Sequence, residues 1–284
     1  MTDLLANADP VPLAQADDDA RAAEARAGVV VRRLDALDDL HAVHALYRSI
    51  WRPDDEHAAI TVEVLRALTK AGNHVAGAYA GDDLVGMTVA LNGTPDSGHV
   101  HSHIAGVAPS GQGRGIGLAL KLRQRVWGLE HGVRSIGWTF DPLVRRNAHF
   151  NLAKLGALPV EYLTDFYGPM SDGINGEDAT DRLLVSWRLD RPLPAPGAAP
   201  EPDGRPALVH HPEGDVPLVT ESTAARVAVP TPADIEALRG ASPVAASAWR
   251  LAVRSTLAHE LAAGSAVVGF DRAGHYLISR KDNA

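Results

Sequence analysis

The sequence predicts an α/β fold in which short strands alternate with amphipathic helices. Three observations predict it. Apolar runs of strand length recur at 74–80, 84–91 and 99–107. Leu37, Leu40, Val43, Tyr47 and Ile50 repeat at helical spacing, and a glycine-rich stretch, 112–117, lies between a strand and a helix.

Taken in order, residues 1–28 are Ala-rich and acidic, with Asp17-Asp18-Asp19 at their centre, and read as a disordered or weakly helical tail. Val29-Val30-Val31 opens the ordered chain as a short strand, followed by helices over 37–50 and 61–70. Gly72-Asn73 stops the second helix. Gly81-Asp82-Asp83 turns strand 74–80 into strand 84–91. A third strand, 99–107, leads through the glycine-rich loop into a helix reaching 130, where Leu118, Leu122, Val126 and Leu129 form one apolar face. Strand 135–140 is broken by Asp141-Pro142; a short helix over 146–155 and strands 162–167 and 183–189 complete a domain over 29–190. Residues 191–225 are rich in Pro, Gly and Ala and read as a linker. Residues 226–284 form a further α/β piece. Its helices are expected at Thr231-Pro232, with Thr231 as N-cap, and at 244–262, before a hairpin of 266–270 and 275–279. That strand-helix-helix-strand-strand order repeats the order of 29–91 and suggests a degenerate half-copy of it.

Composition removes several functions. The 284 residues carry 27 Lys+Arg against 35 Asp+Glu, a net charge of −8, which argues against a nucleic-acid partner. There is no cysteine, so disulfide scaffolds, Cys-based metal sites and cysteine nucleophiles are excluded. No apolar run reaches the roughly 18–20 residues of a membrane span. The expectation is a cytoplasmic protein with no membrane partner.

The stretch Gln112-Gly113-Arg114-Gly115-Ile116-Gly117 carries the chemistry. Its glycines let successive N–H groups face one point at the start of a helix, where the dipole also favours negative charge. It is neither a P-loop, lacking Gly-Lys-Ser/Thr, nor the dinucleotide fingerprint, which needs Gly at 116 or 118. From 112 to 154, eight basic residues stand against Glu130 and Asp141, a local excess of six in an acidic chain, and this suits phosphate groups. Lys121 and Arg123 fit a solvated helix face equally well.

Val107-Ala108-Pro109 followed by Gln112-x-x-Gly115-x-Gly117 resembles the acyl-CoA motif of the GNAT acyltransferases. The resemblance covers roughly 29–190. Asp141-Pro142-Leu143, Asn147-Ala148-x-Phe150-Asn151, Lys154-Leu155-Gly156 and Asp181-Arg182 resemble a bacterial subgroup with a C-terminal extension. The resemblance implies a mixed, mostly antiparallel twisted sheet flanked by helices, with 226–284 as a half-GNAT-like β-α-α-β-β extension. It implies acetyl-CoA, or another acyl-CoA, as cosubstrate and no metal. Acyl-CoA would be held by Ala105, Gly106 and Val107, by Gln112, Gly113, Arg114, Gly115, Ile116 and Gly117, and by Asn147 and Asn151.

Acyl transfer to an amine needs a base for the ammonium, a polarised carbonyl and a proton for the leaving thiolate. His99, His101 and His103 alternate on one strand and share a face. His101 and His103 match the paired catalytic histidines of the arylalkylamine branch of the family. A His-x-His metal pair is the competing reading of the same residues, as is ordinary half-buried packing beside Trp138. Glu56 in the loop after the first helix is the alternative base. Many relatives carry a tyrosine acid where this sequence has Leu152, so Tyr167, Tyr162 or water is the candidate donor. Arg145 and Arg146 leave room for an acidic acyl donor such as succinyl-CoA. The expected acceptor is a primary amine on a small molecule. A non-catalytic acyl-CoA-binding module is the alternative function, and exposed strand edges leave room for a homodimer.

Overall fold

A computed structural model describes residues 11–53, 60–168, 178–195, 208–210, 216–219 and 222–281. The chain divides into two compact units. The first comprises Met1–Trp138 with Arg188–Pro192, and the second Thr139–Trp187 with Leu193–Ala284. These units cut the chain elsewhere than at 29–190 and 226–284.

In the first unit, α1 (Leu13–Ala27) precedes β1 (Val30–Arg33), α2 (Leu37–Trp51), α3 (Val62–Lys70), β2 (His74–Ala80) and β3 (Asp83–Asn92). Then come β4 (His99–Val107), α4 (Ile116–Glu130) and the start of β5 (Ser135–Phe140). The strands lie in the order β1-β2-β3-β4-β5. β1 to β4 pair antiparallel, while β4 and β5 run parallel. On one face Leu40, Val43 and Tyr47 of α2 and Leu65 of α3 join Val75, Met87, Val89 and Ile104 in a single apolar core. The Thr61 hydroxyl accepts from the Val64 N–H and caps α3.

Of the two states expected for the N-terminal segment, disordered or weakly helical, residues 13–27 take the helical one, and they are packed instead of forming a tail. Ala16, Ala20, Ala23 and Ala27 are buried along one side. Alanines at that spacing let α1 approach α4 closely, and acidic side chains then reach its basic ones. Arg123 donates to Asp17 and Glu24, and Arg125 lies 3.5 Å from Asp19.

The second unit holds α5 (Arg145–Ala148), a π-helical turn His149–Lys154, β6 (Leu158–Leu163) and β7 (Arg182–Arg188). β6 pairs β7 antiparallel, so the expected strand at 162–167 lies earlier, with Thr164–Tyr167 in a turn. Within the expected linker, β8 (Leu208–His210) pairs β9 (Pro217–Val219). β10 (Arg226–Pro230), α6 (Ile235–Ala241), α7 (Pro243–Ala262), β11 (Ala266–Phe270) and β12 (His275–Ser279) follow in the expected order. Their sheet runs β10-β12-β11, whereas β1-β2-β3 pair in chain order, so the two segments share element order but not strand pairing. Asp234, not Thr231, caps α6, because the Thr231 hydroxyl donates to the Gly274 carbonyl instead.

Candidate active site

The loop after β4 turns through Pro109–Gly111 and enters α4 at Ile116 with Gly115 as N-cap. Gly113 and Gly115 hold φ of +77° and +85°, where a side chain would be strained, and the space above both is open. Among the described residues no backbone carbonyl accepts from the N–H groups of Gly113, Gly115, Ile116 or Gly117. Four donors therefore meet the positive end of a fifteen-residue helix. Gln112 and Arg114 are exposed beside them, and Arg114 reaches the Ala27 carbonyl at the end of α1.

β4 is organised by alternation. Val100, Ser102 and Ile104 are buried, while His99, His101 and His103 share the half-buried face. The register against β3 passes from Val89↔Ile104 to Ala90↔Ser102, which leaves His103 as the extra, bulged residue. On its other side β4 pairs β5 only from His99↔Ser135 to His101↔Gly137. Beyond His101 the two strands part, so Ala105, Gly106 and Val107 border that opening. The next N–H, of Ala108, is already taken by the Val85 carbonyl. Gly106 is required by packing: a Cβ there would lie 2.4 Å from the Trp51 ring.

The rings of His101 and His103 are 6.0 Å apart. Burial lowers the pKa of both, and for His101 the neighbouring His103, His99 and Lys121 add to the effect. Both imidazoles are thereby biased to the neutral form that can accept a proton. His99 instead shares a hydrogen bond with Ser135, at 3.1 Å.

The basic window is committed largely to the protein itself, which corrects its reading as a phosphate surface. Arg123 and Arg125 serve α1, and Arg125 also donates to the carbonyls of Leu189 and Arg191. Arg145 donates to Thr231, and Arg146 forms a bidentate pair with Glu236, so neither is spare for an acidic acyl group. Lys121 is not on a solvated face. It is 4% exposed, donates to Ser102 Oγ at 2.7 Å and Gln124 Oε1 at 3.3 Å, and lies 4.0 Å from the Trp138 ring centre. Burial brings its pKa down to about 7. Sequence periodicity could not find this lysine, because the side chains that bury it, Ser102 of β4 and Trp138 of β5, lie on the sheet and not on α4.

Asn147, Asn151 and Tyr167 belong to the second unit. Asn147 lies in α5, and Asn151 lies in the π-helical turn, where it is 4% exposed. Such turns widen a helix and recur at functional sites. Leu152 is buried beside it. Tyr167 is exposed, with its hydroxyl 3.0 Å from Thr139 Oγ1. Tyr162 donates to Asp181 at 2.6 Å, and burial together with that carboxylate raises its pKa further from use as an acid. Glu56 lies outside the described residues.

Among solved structures the chain is similar to a protein assigned to the GNAT family of acetyltransferases from Desulfovibrio desulfuricans, at 20% identity and a TM-score of 0.47, over 57% of this chain and 99% of that one. It is similar to a ribosomal-protein-alanine N-acetyltransferase from Brucella melitensis, at 18% identity and a TM-score of 0.46, over 56% and 99%. A third is yncA from Salmonella typhimurium, solved with acetyl-CoA, at 17% identity and a TM-score of 0.46, over 60% and 98%. No family model and no curated protein matches the sequence.

Proposed function

We propose that the protein is an acyl-CoA-dependent N-acyltransferase that moves an acetyl or related acyl group to a primary amine of a small molecule. One observation carries this reading: the β4–β5 pairing stops at His101↔Gly137 in the unit that also holds the open donors of the glycine loop. Such an opening fits the pantetheine arm of CoA, and the loop fits its pyrophosphate. Gln112, Gly113, Arg114, Gly115, Ile116 and Gly117 would hold the phosphates, with Asn147 and Asn151 bonding the pantetheine amides. The free N–H groups bordering the opening, among Ala105, Gly106 and Val107, would stabilise the developing oxyanion.

His103, with His101 beside it, would accept a proton from the substrate ammonium, directly or through water. The free amine then attacks the thioester carbon, the carbon–sulfur bond breaks, and the thiolate leaves with its electron pair. As the adduct collapses the nitrogen sheds its second proton to become the amide, and that proton, relayed through Tyr167 or water, neutralises the departing sulfur. Transfer is direct in a ternary complex, so no covalent enzyme intermediate is involved.

Turnover of acetyl-CoA against a panel of small amines, read with a thiol reagent, tests the proposal. Release of CoA that depends on an amine supports it. Tight CoA binding with no turnover on any amine would favour a binding module instead, a reading helped by the buried leucine at 152.

A further inference from the structure

The turn that leads from β5 to the candidate pantetheine residues is built around Asp141. Its carboxylate accepts from the Leu143 N–H at 2.9 Å, and its carbonyl accepts from the Val144 N–H. Val144 is in turn the N-cap of α5, and its carbonyl accepts from the Asn147 and Ala148 N–H groups. The positions of Asn147 and of the π-helical turn bearing Asn151 thus follow from how Asp141 is held.

Asp141 is held by the C-terminal segment. Arg250 of α7 grips its carboxylate with two hydrogen bonds, at 2.8 and 2.9 Å, and Arg239 of α6 adds a third at 2.6 Å. Both arginines also bond Asp178. Arg254, one turn further along α7, forms the same fork with Asp181, at 2.7 and 2.8 Å. The remaining charged groups of the turn are answered from the same segment. Glu236 takes Arg146, and Thr231 takes Arg145, whose guanidinium fits because position 274 has no Cβ; one there would lie 2.2 Å away. The Tyr276 hydroxyl donates to the Pro142 carbonyl at 2.7 Å. Bidentate arginine–carboxylate pairs fix orientation as well as distance.

We infer that residues 226–280 act as a clamp on the turn 141–146, and that Arg239 and Arg250 are positioning residues that set the affinity for acyl-CoA through Asn147 and Asn151. The inference rests on the acyl-CoA reading above, and it gives the C-terminal extension a role in donor binding. Neither arginine touches the donor; each acts through Asp141.

Three variants test it: Arg239→Gln, Glu236→Arg, and the charge exchange Arg146→Glu with Glu236→Arg. The 146–236 pair is exposed enough to alter without loss of folding. CoA binding is measured by calorimetry, KM for acetyl-CoA and kcat by steady-state kinetics, and amide exchange on peptides spanning 143–154. Arg239→Gln and Glu236→Arg are expected to raise Kd for CoA and KM about tenfold, with kcat within about twofold, as for residues coupled in one network. Exchange over 143–154 should quicken while other peptides of the unit stay unchanged, and the charge exchange should restore affinity. Folded variants with unchanged Kd, KM and exchange overturn the clamp while leaving the acyl-CoA reading intact. A wild-type chain that binds no CoA overturns that reading and the affinity role together.

Discussion

Lys121 sits nearly sealed from water against two neutral oxygens and an indole ring, and no carboxylate among the described residues pairs with it. Those contacts do not replace lost hydration, so its folded pKa falls from 10.5 to about 7. The sign of the consequence follows directly. Between about pH 7 and 10.5 the unfolded chain holds the extra proton, so this residue makes stability rise with pH across that window, by on the order of a few kcal/mol. Urea unfolding at pH 7 and pH 9.5 should show the increase, and Lys121→Met should flatten it. The histidines titrate in the same direction for the same reason, burial. Their base form is retained below the ordinary histidine range, so the acid limb of turnover is expected to lie below pH 6.5. His103→Ala should lower kcat about 10²–10⁴-fold and remove that limb; an unchanged pH profile would exclude His103 as the base.

At the scale of elements, α1 is a packing element made of alanine. Ala20 has no exposed surface, so Ala20→Leu should overfill the contact and cost about 1–3 kcal/mol, read as a fall in Tm. This helix marks where sequence reading stopped. Strands and helices from 37 to 140 were legible where a run of apolar positions stops at a turn glycine, as at Gly72, Gly81 and Gly132. α1 ends on the left-handed Gly28, but its buried face is four alanine methyl groups and most of its remainder is polar, so composition reads as solvent-exposed chain. The loop glycines were legible because positive φ leaves few alternatives to glycine. The commitments of the arginines near it were not, since charge counts carry no information on partners far along the chain. Thr231 shows the same limit at short range: a Thr-Pro pair suits a helix start, but the Gly274 carbonyl competed for its hydroxyl and Asp234 took the cap.

For the whole molecule, a chain ended at 190 is the natural truncation from sequence, and the structure argues against it. Asp141, 7% exposed, would lose Arg239 and Arg250, and Asp181 would lose Arg254. Leaving one such buried carboxylate unpaired costs about 3–5 kcal/mol. Residues 1–190 alone are therefore expected to lack a cooperative unfolding transition that the full chain shows, by near-ultraviolet circular dichroism during heating. Acid should act through the same network. Burial opposes ionisation of Asp141, but the two arginines outweigh it and hold its pKa to about 2, so its contribution is complete above about pH 4 and fades as pH falls toward 2.

The division of the chain also bears on its synthesis. The first unit is closed by Arg188–Pro192, where Arg125 donates to the carbonyls of Leu189 and Arg191 and the Leu189 N–H meets the Arg134 carbonyl. Those five residues leave the ribosome only after all of 139–187. At about 5–20 residues per second, the nascent first unit waits roughly 2–10 seconds for its last piece. Through that interval Arg125, destined for full burial, has neither carbonyl to bind, and the growing chain is most open to capture by chaperones.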